Sequence, residues 1–228
     1  MKSVTSRQNP WFKRVRDAVR EHAGEIVLEG PKMVDDAIAA GWTPIIVVGR
    51  DLAFPDELLR AVSDTKTSQG ILGLFHRPPF RFAADKLVAA LDGVQDPGNV
   101  GTIVRLAAAF DAGVALLPGC ADPFSPKAIR ASAGAILSVP IAQVTAQQLI
   151  DTGRRLLYAD AGGEAIAPTK NDILVLGSEG HGVSAEIRKH GRPIGIPTSG
   201  RVESLNVATA AAILLWQAWG APASPPAG

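Results

Sequence analysis

Apolar residues in this chain come in short runs separated by polar, glycine-bearing breaks, and their period alternates between that of a strand and that of a helix. A basic amphipathic helix is expected around residues 10–19. Residues 26–28 (Ile-Val-Leu) read as a strand, a Glu-Gly-Pro turn follows, a helix covers 32–40 and closes on Gly41, and 44–49 reads as a buried strand. A short helix over 55–62 and a strand over 70–75 complete a small α/β unit. Pro78 and Pro79 then supply no donors for either regular ladder, which places a linker there and ends a first domain near residue 80.

The second domain, 81–220, opens with a buried strand in 86–94. Pro97 and Gly98 suit the two central positions of a type II turn, with Asn99 capping a small apolar helix over 100–112 that stops at Gly113. A strand over 114–117 follows. Ser125 as cap and Pro126 at the first position start another helix, running through Ile129 and Ala133 toward Leu137. Strands are expected at 155–159, 172–177 and 193–196, with Ser184 capping a short helix that Gly191 ends. The last helix is read from Leu205 to Trp219 with Ser204 as its cap and Asn206 in its first turn. Near-continuous apolar strands separated by helices indicate a parallel sheet covered on both faces. Residues 221–228, rich in proline and alanine, are expected to be disordered.

Composition narrows the chemistry. With 228 residues, 46% of them hydrophobic, the chain can build one large or two modest cores. No apolar run approaches the roughly 18 to 20 residues of a membrane span, and no secretory leader is expected. The single cysteine, Cys120, rules out an internal disulfide and a multi-cysteine zinc site, so a cytoplasmic location and no metal are expected. Cys120 itself reads as an inert thiol. A net charge of +1 excludes a strongly basic protein. Yet Lys2, Arg7, Lys13, Arg14, Arg16 and Arg20 face only Asp17 in the first twenty residues, either to touch phosphates or as a solvated helix face.

Ligands on open α/β sheets sit beyond the carboxyl ends of strands, and three polar loops here follow strands: 93–99, 177–183 and 197–204. Together they could form one pocket. Arg105, flanked by Ile103, Val104 and Leu106, is expected to be half buried, and such a guanidinium needs a carboxylate or an incoming phosphate. Glu179 is the internal candidate, and a structural ion pair and a functional role both stay open. The glycines of Gly177-Ser-Glu-Gly-His-Gly182 lack the dinucleotide spacing and no phosphate-loop lysine follows, which disfavours a nicotinamide or ATP site. His181 reads as a solvent-facing loop residue, and Ser204 is not on a nucleophile elbow.

Three segments carry a resemblance. Asp96-Pro-Gly-Asn99-Val-Gly101-Thr-Ile-Val-Arg105, Leu176-Gly177-Ser-Glu179-Gly-His-Gly182, and Ile196-Pro197 through Ser204-Leu205-Asn206-Val resemble, in order and spacing, the motifs of the SpoU/TrmH RNA 2′-O-ribose methyltransferases of the SPOUT superfamily. The first domain resembles the L30e-like substrate-binding domain often fused to them, through Ser6-Arg-Gln-Asn-Pro10, Val27-Leu-Glu-Gly-Pro31 and Thr67-Ser-Gln-Gly-Ile-Leu72.

The resemblance implies an α/β fold whose parallel sheet carries helices on both faces and whose C-terminal segment threads a trefoil knot. It also implies S-adenosyl-L-methionine as cofactor and a homodimer bringing partner residues to each pocket. On the matching positions, Leu176, Gly177, Ile196 and Leu205 would contact the cofactor, and Asn99, Arg105, Glu179, Ser204 and Asn206 would surround the reacting ribose. A guanidinium ordinarily keeps its proton, so Arg105 is read first as an organiser of phosphate and hydroxyl, with a deprotonated arginine as the second option. Arg7, Lys13, Arg14 and Lys32 are the candidates for RNA contact. The extra domain favours ribosomal RNA, 23S in particular, over transfer RNA as substrate. The rival from another class is a non-catalytic RNA-binding module that kept the fold.

Overall fold

A computed structural model describes residues 2–21, 24–63, 69–178 and 180–220. Glu179, the Thr67-Ser68 start of one N-terminal motif, and the tail 221–228 therefore lie outside the described residues. The chain divides into two compact units, Met1–Pro79 with Phe124–Arg130, and Phe80–Pro123 with Ala131–Gly228.

In the first unit, β1 (Lys2–Ser3), β2 (Glu25–Glu29), β3 (Pro44–Val48), β4 (Leu52–Ala53) and β5 (Leu72–His76) form a mixed sheet in the order β1-β4-β3-β5-β2. It is joined by helices α1 (Pro10–Glu21), α2 (Pro31–Ala39) and α3 (Asp56–Val62). Phe12 and Val15 of α1 and Leu58, Leu59 and Val62 of α3 pack with Ile46, Val48, Leu72 and Leu74 of the strands in one core. The basic helix thus buries a narrow apolar stripe and leaves its charges outside. β1 and β4 are two-residue strands, too short for any periodicity to signal them. Phe124 belongs to this unit through Trp42, whose ring lies 6.2 Å away, and through Arg77, stacked 4.8 Å above it.

The second unit is built on β6 (Val88–Asp92), β7 (Gly113–Leu116), β8 (Ile141–Gln143), β9 (Leu156–Glu164), β10 (Ile173–Gly177) and β11 (Arg192–Ile194). All pairs are parallel, in the order β11-β9-β10-β6-β7-β8. Helices α4 (Pro97–Ala109), α5 (Pro126–Ser132, most of which packs in the first unit), α6 (Ala146–Asp151), α7 (Ala185–His190) and α8 (Val207–Trp219) make the connections. The winding runs outward from β6 through β7 to β8, then returns to β9 on the other side. The reversal falls between β6 and β10, where a doubly wound sheet opens a crevice.

Several local expectations are corrected. Pro97 and Gly98 form no type II turn: α4 begins at Pro97, and Asp96 is its cap, its Oδ1 accepting from Gly98 N at 2.5 Å and Asn99 N at 3.2 Å. The fixed proline φ suits a first helical position as well as a turn, and the carboxylate before it decides the outcome. Ser204 does not cap the last helix. Asn206 does, its Oδ1 accepting from Ala208 N at 2.9 Å and Thr209 N at 3.3 Å. The helix from Pro126 stops at Ser132, where Ala133 (φ 49°) and Gly134 (φ 91°) turn the chain before a single 3-10 turn at Ala135–Leu137. β8 and α6 were not expected, although Thr145 and Gln148 form a reciprocal capping box legible as Thr-x-x-Gln. β9 extends to Glu164, and Gly163 lets it run against the segment after β11. A Cβ on Gly163 would lie 2.5 Å from Ile194 C, and one on Gly195 3.0 Å from Gly163 C.

At the amino ends of the strands Arg154 donates to the carbonyls of Ala83, Lys86, Asn171 and Asp172. Arg155 grips buried Asp172 through Nε (2.8 Å) and Nη2 (2.5 Å). This polar clasp fastens the pole opposite the crevice. Among the described residues no helix is long and apolar enough to cross a membrane.

Candidate active site

The middle of β9 and the carboxyl ends of β10 and β11 surround a cavity of about 250 Å³, a little under the roughly 300–1,000 Å³ of ordinary small-molecule sites. Leu176 and Gly177 reach it from β10, Ile196 from beyond β11, and Ser204 and Leu205 from the loop before α8. The four positions matched to cofactor contacts thus share one wall. Ile194, Val207 and Ala210 add apolar surface, while Asp160, Glu203 and Arg188 add charge. An apolar slot with an excess of carboxylates suits a flat heteroaromatic group attached to a cationic centre.

Glycine makes the slot possible. A Cβ on Gly177 would strike the Gly182 carbonyl group and the Val183 amide, its contact with Gly182 O being 2.5 Å. The loop returns on itself there, Ser178 and Gly182 exchanging backbone hydrogen bonds of 3.2 and 2.9 Å. Ser178 Oγ also accepts from His181 N at 3.3 Å, and His181 is exposed. Asp92, at the end of β6, accepts from Ser184 N at 2.7 Å and so ties the start of α7 to the switch point.

Asn206 and Asn99 are brought together, Nδ2 of the first donating to Oδ1 of the second at 3.3 Å. Neither lines the cavity, and neither does Arg105. Arg105 lies six residues after Asn99 on α4, about 9 Å further along and roughly 120° around the helix. The expectation that it is half buried is corrected: Arg105 is exposed and has no hydrogen bond or ion pair among the described residues. The helical period turns Ile103 and Val104 into the core and leaves the next position outside. Whether Glu179 approaches it lies outside the described residues.

The basic candidates of the first unit find carboxylates from later in the chain. Arg7 pairs with Glu57 at 3.1 Å, Arg14 with Glu25 at 2.5 Å and Lys32 with Asp36 at 2.5 Å, all at the surface. Lys13 is exposed. Arg14 also stacks 5.4 Å from the Trp11 ring. Cys120 is partly buried, its Sγ donating to Leu91 O at 3.1 Å, and burial pushes the thiol up from its ordinary range. That makes it a poor nucleophile. Among the described residues no cluster of three or more His, Cys, Asp or Glu could hold a metal. Asp160 and Arg188 lie outside the three segments singled out in the sequence, Asp160 within β9 and Arg188 within α7.

Residues 86–216 match the SpoU rRNA Methylase family. The 23S rRNA (guanosine(2553)-2′-O)-methyltransferase RlmP of Bacillus subtilis is 31% identical over 245 residues, covering 95% of this chain and 98% of that protein. Among solved structures, an AdoMet-bound rRNA methyltransferase from Sinorhizobium meliloti superposes with a TM-score of 0.83 at 27% identity, over 95% of this chain and 96% of that one. A putative RNA methyltransferase of the TrmH family from Porphyromonas gingivalis gives 0.80 at 33% identity, over 90% and 95%.

Proposed function

The chain belongs to the SpoU rRNA methylase family, and from that premise we propose that it methylates a ribose 2′-hydroxyl of structured RNA, 23S ribosomal RNA before transfer RNA. The observation that carries this is the cavity, where Leu176 and Gly177 at the end of β10 meet Ile196, Ser204 and Leu205 of the connection between β11 and α8. S-adenosyl-L-methionine, when bound, supplies an electrophilic methyl group on a sulfonium. The residues present fit it: the apolar lining would hold the adenine, and the carboxylates of Asp160 and Glu203 would favour a cation.

The polar set works by placement. Asn206 commits its Oδ1 to the amides of α8, which turns its Nδ2 toward Asn99 and fixes the two side-chain amides against each other. Ser204 borders the cavity. Arg105, with no polar partner among the described residues, is available to a backbone phosphate or to the attacking hydroxyl, and Glu179 belongs to the same set by its motif. In the first unit Arg7, Lys13, Arg14 and Lys32 contact the RNA: Lys13 is exposed, and the exposed pairs of Arg7 and Lys32 exchange a carboxylate for a phosphate at little cost.

The working form in this reading is a cytoplasmic homodimer. Trp216 and Trp219 are 47% and 42% exposed on α8, and Phe110, the residue that closes α4, lies 6.3 Å from Trp219, so the two helices offer a joint apolar face. A second copy seated there brings each Arg105 to its partner's cavity. The same reading takes the stretch 196–206 as the threaded part of a trefoil knot, with the glycine crossing at Gly163 and Gly195 allowing the close approach this needs.

Transfer of tritiated methyl groups from S-adenosylmethionine to 23S RNA, followed by mapping of ribose methylation, is the test. Labelled 2′-O-methylribose is the expected product; label found only on bases, or none, overturns the proposal.

A further inference from the structure

Arg188 belongs to α7, yet its side chain forms part of the cavity wall. Its Nε donates to the carbonyl of buried Val183 at 3.2 Å, its Nη1 reaches Asp160 Oδ2 at 3.4 Å, and the guanidinium lies 5.7 Å from the centre of the Tyr158 ring. One side chain therefore links two neighbouring parallel strands, the middle of β9 through Tyr158 and Asp160, and the carboxyl end of β10 through the loop that leaves it. Asp160 and the end of β10 both wall the cavity. The fit is close, for Gly182 has φ 66° and a Cβ there would come within 2.8 Å of Arg188 Nη2.

Stability does not explain the arrangement. The Arg188 and Asp160 side chains are 46% and 32% exposed, and so wet an ion pair adds little to folding. Nor would any cation serve: engaging a carbonyl, a carboxylate and a ring face at once requires a planar fork of several donors.

We propose that Arg188 is a positioning residue, which sets the separation of mid-β9 and the β10 end that the cofactor needs and acts through Asp160 and the Val183 carbonyl. This rests on reading the cavity as the S-adenosylmethionine site.

Calorimetry with the full chain and S-adenosylmethionine tests it on wild type, Arg188→Ala, Arg188→Lys, Asp160→Asn and the Arg188→Ala/Asp160→Asn double variant. Arg188→Ala should raise Kd about tenfold, as loss of a supporting contact does elsewhere, and Arg188→Lys should recover part of the loss. The double variant should lose less than the sum of the two single losses, because both changes remove the shared Arg188–Asp160 contact. Thermal midpoints should stay near wild type, and KM for the cofactor should rise with kcat nearly unchanged. Wild-type affinity in Arg188→Ala, or losses that simply add in the double variant, overturns the inference while leaving the cavity reading intact. Should Arg188→Ala melt early, wild-type affinity in Arg188→Lys overturns it equally, since lysine keeps the charge and loses the fork. No uptake by the wild type overturns the cavity reading and this inference with it.

Discussion

Asn206 and Asn99, 107 residues apart in the chain, are joined by a 3.3 Å hydrogen bond at the amino ends of α8 and α4. The carbonyl oxygen of Asn206 is committed to capping its own helix, so its amide nitrogen is left for Asn99. One residue thus serves both stability and site geometry, and substitution can separate the two. Asn206→Ala should lose the cap, costing about 1 kcal/mol, together with activity. Asn206→Asp keeps an acceptor at a helix N-terminus and should retain the melting temperature while losing most turnover. Urea melts beside methyl-transfer assays would show it; full activity in the aspartate variant would rule out the amide link as a requirement.

Arg105→Ala should leave folding within about 0.5 kcal/mol of wild type, as an exposed side chain without polar partners allows. Cofactor binding should be kept and methyl transfer abolished. Activity near the wild-type level would remove Arg105 from the reacting set.

Gly177→Ala places a methyl group against the backbone of Gly182 and Val183, neither of which can give way like a side chain. Calorimetry should find cofactor binding lost or weakened by at least about tenfold, with a lowered melting temperature. Gly180→Ala, whose Cβ would meet nothing, is the matched control.

Asp172 gives the acid limb of stability a named source. Burial raises its carboxyl pKa, but the paired guanidinium of Arg155 and the two hydrogen bonds from Thr169 outweigh that and hold it below the ordinary value. A depressed folded-state pKa contributes stability above the unfolded value of about 3.9 and loses it as pH falls further. Asp172→Asn should therefore be clearly less stable than wild type at neutral pH, and the gap should narrow below about pH 4. A gap independent of pH in denaturant titrations would assign the effect to packing.

Trp216→Glu should shift the protein toward monomer in sedimentation velocity and reduce methyl transfer without reducing secondary structure, if the exposed face of α8 meets a second copy. An unchanged sedimentation coefficient would place any contact elsewhere.

The alternation of strands and helices was legible because buried parallel strands are nearly uniform apolar runs, such as Ile173–Gly177, bounded by glycine. The order of strands was not, since nothing local records that β9 crosses back past β6. Caps were misplaced by two or three residues where two capping residue types stood close together, as with Ser204 and Asn206 or Asn99 and Asp96, because only the backbone decides which side chain faces the amides. Leu176, Gly177, Ile196, Ser204 and Leu205 could be named through motif spacing, and they border one cavity. Arg105 was misjudged because its apolar neighbours suggested burial while its own helical angle points outward. Asp160 and Arg188 carry no sequence signal, for their partnership exists only once β9 and α7 are side by side.

Where Gly163 passes Gly195 the two main chains touch with nothing between them. In a saturation library these two positions should be depleted as severely as reacting residues, although neither carries a functional group. Diversification of the molecule is thereby channelled toward its helices and outer loops, while this crossing stays frozen in its simplest residue.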